Sequence, residues 1–376
     1  MKAPKLTMLI AAALLLLPVT ILRAQKSSPT AQFKGKVEVK EVLLDALVTD
    51  RHGDVVLGLG KNDFVVKENG KPVPLTGAAF YSNRRFLESN AMAKKLGIDP
   101  KSTPTNRYFI LFFHDQRDLS SSFVSRQMDA GRQAKEWLDK NLLPNDYVAV
   151  VSYHFRLQLQ QDFTNDRKLV DQGIDMAIQG KDLGKEWPSR RHDMKSAGPS
   201  LFAYMPTGTK LRDATTRIYG ALEVIARAAT HTVGRKNLVM FSAGYGDWDQ
   251  PGPYRPDPRF YPQMVHSLNN ANVAVYTVDT KHFSASPNPV ERRMRNSLNQ
   301  LASDTGGHYY YNFTNFATPL KEISLDNNGY YLLSYRSTHP AGASGYQRVT
   351  VTTKNRDFRV RARTGYFYGQ EHGSNN

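Results

Sequence analysis

Three continuous apolar runs with polar carboxyl ends constrain this chain most: Arg107-Tyr-Phe-Ile-Leu-Phe-Phe-His-Asp115, Lys236-Asn-Leu-Val-Met-Phe-Ser242 and Asn272-Val-Ala-Val-Tyr-Thr-Val-Asp279. Runs of this kind, separated by helix-period segments, predict strands buried on both faces of a parallel sheet. The intervening segments have that period: Val124, Met128, Gly131, Ala134, Leu138 and Leu142 share one helical face, as do Ala214, Ile218, Ala221, Leu222, Ile225 and Ala229. Further helices are expected at 166–178, at 261–270 and through Val290, Met294, Leu298 and Leu301; further strands are expected at 147–153 and 306–311. Residues 157–161 alternate and read as an exposed edge strand, while 179–211 lack periodicity. Strands alternating with helices imply right-handed crossovers and a doubly wound, mostly parallel α/β sheet. Ligands bind such sheets beyond the carboxyl ends of the strands, where strand order reverses.

On either side of this body the pattern turns to β. Val37, Val39, Val42, Leu44 and Ala46 alternate with polar neighbours, and Glu68-Asn-Gly70 is a strong hairpin signal. Residues 330–335, 347–353 and 358–363 form a second β region. Residues 85–105 are polar and read as helix-poor. The predicted organisation is a leader over 1–24, a linker over 25–33, a β segment over 34–83, an α/β domain over 104–322 and a β segment over 325–368. Neither β segment buries a core alone, so the two are expected to pair as one small β-sandwich flanking the α/β domain.

The leader joins Met1-Lys-Ala-Pro-Lys5 to an apolar run from Leu9 to Leu17, the plan of a secretory signal. That run is short for a membrane span, and an uncleaved anchor is the alternative. The expected location is secreted or periplasmic, in a bacterial envelope. With no Cys in 376 residues, disulfide bracing and lipoprotein attachment are excluded. The formal charge of +16, less Lys2, Lys5 and Arg23 of the leader, leaves +13, which favours a protein or anionic envelope component as partner. The basic residues are scattered without a recognition motif, so nucleic acid is not expected.

Three stretches carry a family likeness: Val48-Thr-Asp-Arg-His-Gly-Asp with Gly60-Lys-Asn-Asp-Phe-Val-Val-Lys-Glu-Asn-Gly; Gly234-Arg-Lys-Asn-Leu-Val-Met-Phe-Ser-Ala-Gly; and Val360-Arg-Ala-Arg-Thr-Gly-Tyr. With them the chain resembles secreted von Willebrand factor type A domain proteins, of the group called VWFA-related in acidobacteria. The resemblance implies an adhesion-type module with Mg²⁺ or Mn²⁺ at a metal-ion-dependent adhesion site. Hard cations require oxygen ligands in such a site. Asp115 matches the family's first Asp, and Thr215 or Thr216 its Thr. Arg117 and Leu119 stand where the family has Ser, and Ser242-Ala243-Gly244 replaces Thr-Asp-Gly. The expected metal set is thus the degenerate Asp115, Thr216 and Asp247, and the expected cofactor is none.

Enzymatic readings fare worse. Met240-Phe-Ser-Ala-Gly244 evokes a hydrolase nucleophile elbow at Ser242, yet a turn-rich loop follows where a helix is required. The plain reading of Ser242 is a hydroxyl capping backbone amides at the strand end, and an envelope hydrolase using Ser242 or carboxylates is the alternative function. The dispersed His residues offer no zinc set. Between Lys181 and Arg212, seven basic residues face three acidic ones, with aromatics interleaved. Trp187, Arg190, Arg191, Tyr245 and Trp248 are the expected partner-binding residues, because aromatics and Arg dominate binding hot spots. The sequence therefore points to an exported, non-enzymatic interaction protein.

Overall fold

The strand Arg107–His114 shows how its sequence builds two cores at once. Tyr108, Ile110 and Phe112 enter one apolar cluster, whereas Phe109, Leu111 and Phe113 enter another on the opposite face. Side chains alternate across a strand, so an unbroken apolar run is stable only where both faces are covered. The computed structural model describes residues 37–97, 106–116, 121–179, 198–246, 256–281, 289–340 and 343–369.

In chain order the elements are β1 (Val37–Thr49), β2 (Phe64–Glu68), β3 (Lys71–Val73), β4 (Leu75–Ser82), α1 (Arg84–Ser89), α2 (Ala91–Lys95), β5 (Arg107–His114), α3 (Ser121–Asn141), β6 (Asp146–Tyr153), β7 (Leu157–Thr164) and α4 (Arg167–Gln179). There follow α5 (Gly208–Ala214), α6 (Ile218–Ala229), β8 (Lys236–Ser242), α7 (Tyr261–Asn270), β9 (Val273–Asp279), α8 (Pro289–Thr305), β10 (Tyr309–Tyr310), α9 (Ala317–Asp326), β11 (Gly329–Pro340), β12 (Gly345–Thr353), β13 (Arg359–Ala362) and β14 (Gly365–Tyr368).

The central sheet has the order β10-β9-β8-β5-β6-β7, all parallel except β7. Helices α6 and α7 supply Leu222, Ile225, Met264 and Leu268 to one face. On the other, α3, α4 and α9 supply Trp137, Leu138, Ile174 and Ile323. This is a doubly wound α/β sheet whose order reverses between β5 and β8, so a crevice opens at the carboxyl ends of these two strands.

The flanking strands form two antiparallel sheets, β13-β1-β11-β4 and β14-β12-β2-β3. Their inner faces share one core built from Val42, Leu44, Ala46, Phe64, Tyr331, Leu333, Val349 and Val351. The Glu68 carboxylate fastens them by accepting from the hydroxyls of Tyr335 (2.7 Å), Ser337 (2.8 Å) and Tyr366 (2.8 Å). Asn69 and Gly70, at φ +48° and +81°, make the tight β2–β3 turn. The N- and C-terminal strands therefore form one sandwich. The α/β body leaves it after Ser82 and returns at Gly329, residues that face each other across β4 and β11.

Two expectations need correction. Residues 85–105 are not helix-poor throughout: the side chains of Asn83 and Asn90 accept from backbone amides and start α1 and α2. Strand β7 is an edge in the sheet but is wholly buried. Its Asp162 carboxylate accepts from Ser200 Oγ (2.6 Å) and the Leu201 amide (2.9 Å), so the following segment covers it.

Strand β1 has neighbours only in β11 and β13, and β4 pairs only with β11. A fragment of residues 37–83 is therefore expected to be unfolded by circular dichroism, since among the described pairings it keeps just the short β2–β3 hairpin and the Thr49–Val55 bridge. Cooperative thermal unfolding of that fragment would refute this dependence.

Candidate functional site

At the carboxyl end of the crevice, β5 and β8 are tied together by the side chain of Gln116. Its Oε1 accepts from the Ala243 amide (2.6 Å) and its Nε2 donates to the Gly244 carbonyl (2.8 Å). Ser242 Oγ accepts from the Gly244 amide (3.0 Å) and shares a hydrogen bond with His114 Nδ1 (2.8 Å). The hydroxyl therefore caps the strand end. Ser242 is 0% exposed, so a substrate cannot reach Oγ. Burial, with the charge of His154 as a smaller contribution, pushes the His114 imidazole down to about 3, so it is neutral at physiological pH. Among the described residues no carboxylate orients His114, and a Ser–His pair without an orienting acid or an exposed nucleophile lacks the arrangement that acyl transfer needs.

Asp115 lies at the same end, 5% exposed, with its amide donating to the Tyr153 carbonyl (2.9 Å). The Tyr153 hydroxyl donates to the Thr216 carbonyl (3.2 Å), which links Thr216 to the end of β6. The hydroxyl of Thr216 donates to the Asp213 carbonyl (3.3 Å), and that of buried Thr215 to the Leu211 carbonyl (2.8 Å). At the end of β8 the Lys281 ammonium donates to the Ala243 carbonyl. These residues do not fit a divalent cation. A hard cation requires several oxygen ligands, and here a positive side chain stands at the strand end, where Ala243 offers no carboxylate. Among the described residues, no group of three His, Cys, Asp or Glu is placed to hold a metal. Asp247 lies outside the described residues.

Tyr245 is at this end but points into the core. It is 4% exposed, its amide donates to Ser297 Oγ (3.2 Å), and its ring meets Tyr219 edge-on at 5.6 Å. Flanking Gly244 and Gly246, at φ +112° and +140°, bend the chain around it. Tyr245 is thus a packing residue, in contrast to its expected surface role. Trp187, Arg190, Arg191 and Trp248 lie outside the described residues.

One residue escaped sequence reasoning. Phe155, at the tip between β6 and β7, is 70% exposed and has φ +54°. Bulky side chains rarely adopt this left-handed conformation. Exposed Arg156 follows it in the turn, and His154 Nδ1 lies 3.3 Å from the Asp115 carbonyl; Arg217, also exposed, stacks 4.6 Å over the Phe260 ring. The available signal was an aromatic residue in a tight strand-to-strand turn that has no Gly or Pro.

No family model matches the chain, and no curated protein matches it. Solved structures do. Proximal thread matrix protein 1 from the mussel byssus is 13% identical with a TM-score of 0.36, over 59% of this chain and 48% of that one. The chain thus spans about half the length of the mussel protein. The vWF domain of the type V pili tip protein Mfa5 from Porphyromonas gingivalis is 13% identical with a TM-score of 0.35, over 58% and 94%. The von Willebrand factor type A protein from Catenulispora acidiphila is 8% identical with a TM-score of 0.37, over 89% and 75%. These likenesses are weak, and the sheet order above stands on its own geometry. Among the described residues no helix is long and apolar enough to cross a membrane.

Two measurements check this site. Millimolar Mg²⁺ is expected to leave the Tm unchanged, whereas a site that held the ion would give a rise growing with concentration. His114 has a depressed folded pKa, so its contribution to stability is complete above its ordinary 6.5 and is lost as pH falls from there toward about 3. The denaturant midpoint should fall over that window, and His114→Asn should flatten the fall. An unchanged slope in the variant would contradict the assignment.

Proposed function

We propose that this chain is an exported, non-enzymatic interaction module that takes an anionic protein partner at the carboxyl-end face of its sheet, without a tightly held divalent cation. The observation that carries the reading is Phe155, a large aromatic presented to solvent in a strained backbone conformation, followed in the turn by exposed Arg156. Strained residues persist where surrounding structure holds them, and they cluster at binding and catalytic sites. Ser242 is buried and so is not an accessible nucleophile, which supports recognition over hydrolysis at that residue. The net charge of +16 supports an anionic partner. Trp187, Arg190, Arg191 and Trp248 belong to this proposal on sequence grounds alone. Export rests on the leader sequence.

Phe155→Gly tests the reading in two directions. Glycine accepts the left-handed conformation, so the variant should be more stable by about 1 kcal/mol in chemical denaturation. It should also release a captured envelope partner several-fold faster. Arg217→Ala should instead slow association and weaken its salt dependence. Unchanged capture kinetics in both variants would move the interaction surface elsewhere.

A further inference from the structure

The junction between the sandwich and the amino end of the sheet turns on one side chain. The Arg363 guanidinium, between β13 and β14, donates Nη1 to the Asn269 carbonyl in the last turn of α7 and Nη2 to the Leu43 carbonyl on β1. Its remaining nitrogen, Nε, is buried and has no hydrogen-bond partner among the described residues. Asn269 is 1% exposed, and its Nδ2 donates to the Asp304 carbonyl (3.2 Å). Its Oδ1 is buried and, among the described residues, has no partner either. One of these orphaned atoms is a donor and the other an acceptor.

Both residues line one cavity, together with Asp45, Arg235, Asn272 and Thr305. Its volume is about 10 Å³, room for a single water. A buried polar atom without a partner is destabilising, and a molecule that both accepts and donates satisfies a donor and an acceptor on the same wall. The charges around the cavity narrow the choice. Arg235 and Arg363 disfavour a cation, whereas the Asp45 carboxylate and the Asn269 oxygen disfavour an anion. The Thr305 hydroxyl is already committed: it donates to the Leu301 carbonyl (2.8 Å) and accepts from the Val275 amide (3.1 Å). Asp45 accepts from Asn272 Nδ2 (2.6 Å) through one oxygen, and a carboxylate has further lone pairs to offer. A small neutral molecule with both hydrogen-bonding senses fits this wall.

We propose that this cavity is the site of one structural water, which accepts from Arg363 Nε and donates to Asn269 Oδ1 and so bridges the sandwich to the α/β body. The Asp45 carboxylate is the acceptor for its second proton. Buried waters typically make about three hydrogen bonds, and Arg363, Asn269 and Asp45 supply that number. With the water in place every nitrogen of Arg363 is satisfied, and one side chain joins β1, α7 and the cavity. The site lies at the opposite end of the sheet from Phe155 and stands whether or not that residue anchors a partner.

The test is a high-resolution crystal structure of the full chain grown with bromide in place of chloride, together with a count of long-lived internal waters in solution by deuterium magnetic relaxation dispersion. The expected result is one water peak, without bromide anomalous signal, in hydrogen-bond contact with Arg363 Nε and Asn269 Oδ1. A bromide signal there, or a direct bond between the two groups that excludes a water, overturns the proposal. Asn269→Leu removes the acceptor, so the peak should vanish and the solution count should fall by one. Arg363→Lys keeps the positive charge but has no Nε. It should also lose the water, and it repeats the measurement if Asn269→Leu fails to fold. Because both substitutions act on the same water, the double variant should shift the denaturant midpoint by less than the sum of the single shifts. An unchanged count in a folded variant, or additive shifts, overturns the bridge.

Discussion

The structure depends on one pairing, that of β1 with β11. Ten consecutive positions are in antiparallel register, from Val37↔Pro340 to Ala46↔Tyr331, across almost the whole described chain. A contact so distant in sequence carries a large closure entropy. The inserted α/β body offsets it, because Ser82 and Gly329 face each other and a folded insert holds its own ends together. The dependence also runs the other way. Asp45 on β1 accepts from Asn272 Nδ2 (2.6 Å), and the Arg363 guanidinium donates to the carbonyls of Asn269 and Leu43. Arg361 pairs with Asp326 at the end of α9. These links fix the sandwich to the amino end of the sheet and leave the carboxyl end clear.

At that carboxyl end, side chains stiffen the crevice. Gln116 clasps the backbone after β8, Ser242 caps the same turn, and His114 fills the space between the strands. A rigid floor of this kind holds an exposed rim residue in an unfavourable conformation: the His154 amide donates to the Arg156 carbonyl (3.1 Å), closing the turn around Phe155. The chemistry of the face follows from its substitutions. Ala243 lacks a carboxylate and the Lys281 ammonium donates to the Ala243 carbonyl, so a positive side chain stands at the end of β8.

The sheet was legible because its signal is periodic and local. The alternation within Arg107–His114 follows directly from an apolar run, and α7 spans Tyr261–Asn270 as its pattern predicts. The sandwich was legible as a need for partners, since neither β segment closes a core alone. Helices α1 and α2 were hidden because their start signals are single Asn caps before short, weakly patterned segments. The burial of β7 was hidden because its polar residues are satisfied by segments distant in sequence, as Asp162 is by Ser200 and Leu201. At the site, the family likeness selected Asp115, Thr216 and Asp247; the first two lie at the carboxyl end of the sheet, and Asp247 lies outside the described residues. It said nothing of Lys281, Arg126 or Phe155, whose roles arise from position in space. Tyr245 shows the converse: an aromatic in a glycine-rich loop turned inward because Ser297 and Tyr219 receive it.

The two ends of the sheet use similar buried cations to different effect. At the amino end, the chain supplies acceptors: Lys236 Nζ donates to the Thr232 carbonyl (2.8 Å), and Arg235 donates to the Gly306 carbonyl (3.2 Å) and the Tyr276 hydroxyl (3.5 Å). Asp45 sits among these groups and draws the pKa of Arg235 upward together with Tyr276, although burial opposes both. Burial lowers Lys236 to about 8, with Asp45 opposing, so the charge there is tolerated in the folded state. At the carboxyl end, Arg126 has a single backbone acceptor for Nε, and Arg295 reaches its carboxylate only at 3.6 Å. The contrast is one of degree, since Arg363 Nε at the amino end is also buried without an acceptor among the described residues. Cations whose acceptors are internal hold two parts of a protein together, as Arg363 does between α7 and β1 through the carbonyls of Asn269 and Leu43.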